Sequence, residues 1–383
     1  IITSFLIHMK FLCQTSAILQ ALQVVTRAIG AQQALPILGN VLLKVEGNRC
    51  TLSATDLELS IVSSIDAQVE AEGSLTVPAK ALLNFVQYNN DAEVLFETKD
   101  GTQLKCSSAK AKANLAGEVA ADYPAIPAIE RQSVLVVDST LLLDALHLVT
   151  FSCARTALRP VLSGVSVRCE GGELILAATD SYRLSEIRLP LPGDAAAIAC
   201  IIPVKVLDEL RSVLAGKKAG KGESSPTVEI VLSSQQVEFN VGSTRLLSRL
   251  IEGKFPDYKQ IIPKETPALM QFPTSELMTA ARRLHYFAKE ANNNLTIRSQ
   301  AGKVSVTTPQ TAFGRDEAEV QAQVSGTDTR IALSSAYLLD FLSHVGGDTV
   351  EMKVSDGMHP AVFAISGVPQ FLHLIMPLRL PEE

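Results

Sequence analysis

The chain repeats itself, and that limits what it can fold into. Three segments start a helix in the same way: VPAKALLNFV at 77–86, IPVKVLDELR at 202–211 and LSSAYLLDFL at 333–342. Upstream of each lies another matching segment: TSAILQALQVV from Thr15, STLLLDALHLV from Ser139 and TSELMTAARRL from Thr274. Each upstream segment opens on a Ser or Thr able to cap a helix N-terminus. Apolar residues then recur at helical spacing, as at Ile18, Leu19, Leu22, Val25 and Ile29. In the third copy of the first set, Ser335 and Tyr337 are read as replacing the Pro and Lys of the other two.

The text between the helices repeats as well. VLLKVEGNRCTLSATDLELSIVSSI (41–65) matches VSVRCEGGELILAATDSYRLSEIRL (165–189), with alternating strands, a Gly turn and then Ala-Thr-Asp. LTIRSQAGKVSVTTPQTAFGRDEAEV (295–320) keeps the hairpin and loses the Asp. After the second helix come further strands, 228–251 being the clearest. The first two repeats close on ADYPAIP (121–127) and PDYKQIIP (256–263). Thr15 and Ser139 are 124 residues apart, as are the Thr-Asp pairs at 55–56 and 179–180, and Ser139 and Thr274 are 135 apart. The Lys/Gly/Ser loop at 216–226 accounts for part of that difference. The fold class expected is α+β: three domains, each of two helices packed on antiparallel sheets. The boundaries fall at 9–130, 131–264 and 265–380, with linkers near 127–132 and 263–267 and residues 1–8 as an N-terminal extension. A repeat this long gives each unit its own core, unlike a solenoid.

Composition narrows the function. Of the 383 residues 47% are hydrophobic and 19% charged, which suits soluble domains with real cores. No Trp is present, so aromatic stacking platforms are not expected to dominate. The net charge of −6 argues against a generally basic nucleic-acid binder. Its distribution matters more: the six helical segments total +4, leaving −10 for strands and loops. Basic helices and acidic sheets suit an object that meets DNA with its helices, although a chance scatter of charge gives the same sum. The six Cys form no CxxC, which excludes a zinc site or disulfide scaffold and points to a reducing cytoplasm with scattered buried thiols. IITSFLIH before Met9 lacks the charged n-region of a signal peptide, and no apolar run reaches the ~20 residues of a membrane span.

An enzyme is not expected. Asp56 and Asp180 occupy equivalent turns of separate repeats, so they are not placed to converge as an acid/base pair. GKKAGKG lacks P-loop spacing, no GxGxxG follows a strand, and the six His form no HxH or HExxH group. No catalytic residue, metal site or cofactor is assigned. A scaffold of three domains that binds only proteins is the other reading.

LPILGNVLLKV (35–45), ATDSYRL (178–184), GKFPDYKQIIP (253–263) and LIMPLRL (374–380), in this order on a threefold repeat, resemble the bacterial DNA sliding clamps, the β subunits of DNA polymerase III holoenzyme. The resemblance runs from Met9 to Leu380. It implies a head-to-tail homodimeric ring of six similar units, with helices lining the hole and sheets outside. Such a ring encircles double-stranded DNA without sequence preference and acts as a processivity factor in DNA replication, with no reaction of its own. Carried over by position, the DNA-binding residues are Arg27, Lys80, Arg155, Arg159, Lys205 and Tyr337; for any single Lys or Arg the alternative is a solvated charge. Gln32, Pro160 and Val161 depart from the family at other contact points.

The resemblance also implies a hydrophobic pocket between domains two and three. It takes short linear peptides from the polymerase III catalytic subunit, the clamp loader and repair proteins. The matching positions are Leu162, Thr179, Ser181, Tyr182, Arg183, Leu184, Pro256, Ile261, Leu374, Ile375, Met376, Pro377, Leu378 and Arg379, with Arg183 and Arg379 at the rim; ordinary core is the alternative. Ser181-Tyr182 replaces a Gly-His pair, Gln260 replaces an Arg, and residues 381–383 extend past the usual end. Across the subunit interface, Ala113 and Leu115 would face Tyr286 and Phe287, with Ala113 smaller than the aromatic residue often found there.

Overall fold

The computed structural model describes residues 8–30, 33–99, 101–156, 158–191, 198–216 and 226–380. Most of the 1–8 extension, Gln32, nearly all of the 216–226 loop and residues 381–383 therefore lie outside the described residues. Six α-helices occur among them: α1 (Thr15–Val25), α2 (Ala79–Gln87), α3 (Ser139–Val149), α4 (Val204–Gly216), α5 (Thr274–Ala288) and α6 (Ser335–His344). Each sequence repeat holds two of them, as its pattern predicts.

The chain divides into two compact units, residues 1–140 with 209–250, and residues 141–208 with 251–383. Each unit holds one nine-stranded antiparallel sheet. In the first unit the strands Asn40–Glu46, Arg49–Thr55 and Leu59–Asp66 continue into Thr244–Arg249, Gln236–Val241 and Thr227–Leu232. In the second unit Gly164–Glu170, Glu173–Thr179 and Arg183–Pro190 continue into Val368–Ile375, Ala361–Ile365 and Thr349–Val354. Each large sheet thus joins a meander from one repeat to a meander from the next. A five-stranded sheet ending at Lys112–Ala116 completes the first unit, and a four-stranded sheet from Glu317–Val320 to Thr329–Ser334 completes the second.

Local chemistry explains the repeat. The first hairpin of each repeat closes on two residues, 47–48, 171–172 and 301–302. Positive φ is needed there, and Gly47, Gly171 and Gly302 supply it at +57°, +60° and +77°. Alternation then puts one face inside, as with Val41, Leu43 and Val45, all fully buried. Against such faces α1 buries Ile18, Leu22 and Val25 completely. Five of the six cysteines are buried and Cys200 is half-buried. Burial pushes the Cys13, Cys106, Cys153 and Cys200 thiols up to about 12.

Two details of the helix starts differ from the sequence reading. Thr15 and Thr274 are the first helical residues, not caps; Gln14 and Pro273 precede them and give no side-chain cap bond. These helix starts instead donate their first backbone N–H to a carbonyl just before a strand of the same repeat. The pairs are Thr15 to Ala92 O (2.9 Å), Ser139 to Pro226 O (2.9 Å) and Thr274 to Asp348 O (3.0 Å). Asp138 Oδ1 does cap α3, accepting from Thr140 N at 2.8 Å. The second correction is register. Ser334, which caps α6, stands where Pro78 precedes α2, so Ala336 takes the place of Lys80 and Tyr337 stands one residue further on.

The Thr-Asp pairs are turn devices. Thr55 Oγ1 donates to Leu59 O (3.0 Å) and accepts from Leu57 N (3.0 Å), while Asp56 Oδ1 accepts from Glu58 N (3.1 Å) and Leu59 N (2.8 Å). Thr179 and Asp180 make the same four bonds around Ser181–Arg183, at 2.6–3.1 Å. Leu57 and Ser181 both sit at positive φ, +78° and +82°. The pairs therefore shape backbone at equivalent turns. Tyr123 braces the first turn, its hydroxyl accepting from Thr55 N (3.1 Å) and donating to Asn40 O (3.3 Å) while 5% exposed. Tyr123→Phe leaves both backbone groups buried and unpaired, and denaturant titration should show a loss of about 1–3 kcal/mol.

In the second unit His373 is fully buried on the Val368–Ile375 strand, its ring stacked at 4.6 Å on Phe341. Its Nδ1 meets Ser185 Oγ at 2.8 Å, and Ser185 Oγ meets Ser152 Oγ at 2.8 Å. Burial, reinforced by the positive charge of Arg183, pushes the His373 pKa well below the ordinary value. The folded state therefore holds His373 neutral, and its contribution is present above the unfolded pKa of about 6.5 and lost as pH falls. Relative to the parent, a His373→Phe variant should lose its stability deficit as pH drops from 7 to 5. The gap should close by at most about 1.4 kcal/mol per pH unit, read from urea midpoints.

Candidate functional site

The strongest constellation is the strand joint inside the second unit. Arg183–Pro190 pairs antiparallel with Val368–Ile375, with Leu184 opposite Leu374 and Arg183 opposite Ile375. The period of two sends neighbours to opposite faces. On one face Leu184 and Leu374 cluster with Ala177, Tyr258 and Val362, against Phe255 and Ile262. Pro256 and Ile261 are exposed on the segment that carries Phe255, Tyr258 and Ile262. Beyond the joint, Met376 N donates to Tyr182 O (2.8 Å) and Leu378 N to Ala332 O (2.8 Å). Thr179, bonded to Arg183 O, closes the end of the joint. Leu162 is buried, its N–H donating to Arg159 O at 2.9 Å. Pro377 is half-buried and Arg379 exposed, its carbonyl accepting from Asn294 Nδ2 at 2.9 Å. The fold thus unites an apolar cluster with an exposed margin of Ser181, Tyr182, Pro256, Ile261 and Arg379.

Arg183 is a hub rather than a rim group. It is 8% exposed. Its Nε donates to Asp180 Oδ2 (3.1 Å), Nη1 to Asp340 Oδ2 (2.5 Å) and Nη2 to Phe151 O (2.8 Å). Its guanidinium also lies 4.9 Å from the Tyr337 ring centroid and 5.4 Å from that of Phe151. A desolvated cation with this many partners fixes local geometry, and three of its five N–H donors are already engaged. Tyr337 is held in the same assembly, 6.4 Å from the ring of Tyr182. Burial raises its phenol pKa. Tyr337 therefore packs with the residues of the strand joint. Sequence reading missed Asp340 and Phe151, whose partners lie 157 and 32 residues away.

Lys80, Arg155, Arg159 and Lys205 are exposed, as is Arg27 in the 3-10 turn Thr26–Ala28 that follows α1. Arg27 Nη1 pairs with Glu209 Oε2 (3.0 Å), and Arg155 Nη1 with Asp208 Oδ2 (3.4 Å). Both cations stay about half or more exposed, so these pairs are worth ~1 kcal/mol or less and leave the charges available to a stronger anion. Arg159 Nη1 reaches Ser181 Oγ at 3.3 Å.

A sheet edge and the last turn of α5 carry the remaining predicted residues. Ala113 and Leu115 are the half-buried positions of Lys112–Ala116, the outermost strand of the five-stranded sheet. Tyr286 is 66% exposed and packs edge-on to Phe287 at 5.4 Å. Phe313, 61% exposed and 6.4 Å from Tyr286, extends this aromatic group; its position just before an outermost strand was the available signal. Among the described residues no group of three or more His, Cys, Asp or Glu is placed to hold a metal, and no helix is long and apolar enough to cross a membrane.

Residues 9–127, 136–257 and 259–379 match the N-terminal, central and C-terminal domains of the DNA polymerase III beta subunit. A beta sliding clamp from Synechocystis is 29% identical over 394 residues, covering 97% of this chain and all of the relative. One from Caulobacter vibrioides is 29% identical over 379 residues with the same coverage. The DNA polymerase sliding clamp of Bacillus subtilis superposes with a TM-score of 0.90 at 26% identity over 98% of this chain and all of that one. A sliding clamp from Pseudomonas aeruginosa, solved with griselimycin bound, gives a TM-score of 0.90 at 26% identity over 97% of this chain and all of that one. With all three domains matched in order, the chain belongs to the DNA polymerase III beta subunit family, the bacterial sliding clamps, which are non-catalytic processivity factors.

Proposed function

We propose that two copies of this chain close head to tail into a ring around duplex DNA and tether replication proteins to it. One observation carries the ring: the chain joins its repeats by a rule and leaves that rule unfinished at both ends. Between the first and second repeats, the third strand of the first meander (Leu59–Asp66) pairs with the last strand of the following repeat (Thr244–Arg249). Between the second and third repeats, Arg183–Pro190 pairs with Val368–Ile375 in the same way. The next pair in the series is Glu317–Val320 with Lys112–Ala116, and both strands are outermost in their sheets. An open edge is a template for another chain. A second copy supplies each missing partner, and two such joints close the ring. Ala113 and Leu115 then meet Tyr286, Phe287 and Phe313. The repeats are assigned as domains 9–130, 131–264 and 265–380.

Arg27, Lys80, Arg155, Arg159 and Lys205 are assigned to the phosphates, as exposed cations at or beside helices. Contacts of this kind are sequence-independent and salt-sensitive. The apolar cluster around Leu184 and Leu374, with its margin at Tyr182, Pro256, Ile261 and Met376, is assigned to short peptides, and Tyr337 joins it. The polymerase III catalytic subunit, the clamp loader and repair proteins are the partners expected there, in the cytoplasm.

Sedimentation over a dilution series should show a species near 82 kDa, twice the 41.1 kDa chain. Leu115→Lys should shift it to monomer, and loaded protein should stay on circular plasmid and slide off once the plasmid is linearised. A monomer at all concentrations, or equal retention on linear DNA, excludes the ring. Ile261→Asp, at an exposed position, should keep the dimer and DNA retention but cut processive synthesis by DNA polymerase III tenfold or more.

A further inference from the structure

The strand joint of the first unit carries a cleft of about 350 Å³, near the lower end of the range for binding sites. Its residues are the repeat partners of the peptide cluster just assigned. Thr55, Leu57, Glu58 and Ser60 line it, and each lies 124 positions before Thr179, Ser181, Tyr182 and Leu184. Strand register gives the rest. Leu247 pairs with Ser60 as Leu374 pairs with Leu184, so Leu247 stands where Leu374 stands. Arg249 N donates to Glu58 O (3.4 Å), as Met376 N donates to Tyr182 O (2.8 Å). Correspondence therefore extends to the backbone bond beyond the joint.

We infer that this cleft is a second docking site, for a short extended segment of a partner protein bearing one small aliphatic residue next to one Asp or Glu. The inference rests on the peptide reading of the Leu184 cluster. Three features set the chemistry of the occupant. Ser60 replaces Leu184, and its hydroxyl meets Thr55 Oγ1 at 2.8 Å, so the floor is less apolar and suits a small side chain. Leu57 is 47% exposed at φ +78°, a costly conformation for leucine, and it presents an aliphatic side chain to solvent at the cleft. Arg249 takes the place of Met376, is exposed, and has no ion pair among the described residues. A carboxylate complements it. Glu58 on the same margin disfavours a run of acids.

The test is methyl NMR on the full-length protein, titrated with N-acetyl-Val-Asp-amide, with N-acetyl-Val-Asn-amide as the uncharged comparison. Saturable shifts of the Leu57 and Leu247 methyls are expected, at least threefold weaker with the Asn probe. Arg249→Ala should abolish them, Arg249→Lys should restore part, and Tyr182→Ala should leave them unchanged. Leu57→Gly relieves the positive φ, so that variant should melt no lower than the parent yet bind the Asp probe at least threefold more weakly. Shifts confined to the Leu184 and Leu374 methyls would overturn the second site and leave the first standing. Failure of Ile261→Asp to alter processive synthesis would instead strike the first reading, while equal binding of the two probes at Leu57 would overturn the assigned chemistry of the second.

Discussion

Backbone pairing across repeat boundaries is the constraint on which everything else depends. A domain of about 125 residues could close its own sheet and float on a linker. Here each large sheet is shared, five register pairs joining Leu59–Asp66 to Thr244–Arg249 and five joining Arg183–Pro190 to Val368–Ile375. The central repeat is thereby split, with its first meander in one compact unit and its second in the other. Antiparallel register is set by which face is buried, and a one-residue slip would turn Leu184 and Leu374 to the wrong side. Apolar patterning therefore fixes how the repeats join as well as how each repeat folds.

What sits behind the second joint follows from that. Arg183 lies on the face opposite Leu184, where helices cover the sheet, and its guanidinium is taken up by Asp180, Asp340 and the Phe151 carbonyl. Asp340 belongs to α6, Phe151 follows α3, and Asp180 forms the turn, so one side chain ties three elements of two repeats. The stacked His373 and Phe341 rings lie beside it. The exposed margin assigned to peptides thus rests on a rigid floor, which is what a site binding varied short segments needs, because little ordering is left to be done on binding.

Much of this was legible in the sequence because repetition multiplies weak signals. Each helix start was ambiguous alone; six at matched intervals were not. The Thr-Asp pairs were legible as turns for the same reason. What was not legible depends on distance and on atoms. No periodicity shows that Thr15 leans on Ala92 instead of capping its own helix. Nor does it show that Arg27 and Arg155 already have the acids Glu209 and Asp208 beside them. Tyr337 was read one register position off in the helix repeat, and its contact with the Arg183 guanidinium depends on atoms that no pattern carries. The Ser133–Asp138 strand, with Val134 and Val136 exposed, followed a predicted linker and gave no alternation that marked it as the end of a nine-stranded sheet.

On the proposed reading, the modest charge of the helices is an advantage. A protein that held DNA by affinity would need many unpaired cations and would pause wherever they fitted best. Arg27 and Arg155 instead trade a weak surface partner for a phosphate at little net gain, since exposed pairs are worth ~1 kcal/mol or less. Each contact can then be made and broken within thermal energy, and the landscape along the duplex stays smooth. The acidic strands and loops add no competing attraction outside the ring. Residence on DNA is then governed by the backbone ladders at the two open edges, far from any phosphate. Strengthening those edges should lengthen residence without slowing sliding, whereas adding cations to the helices should slow sliding before it lengthens residence.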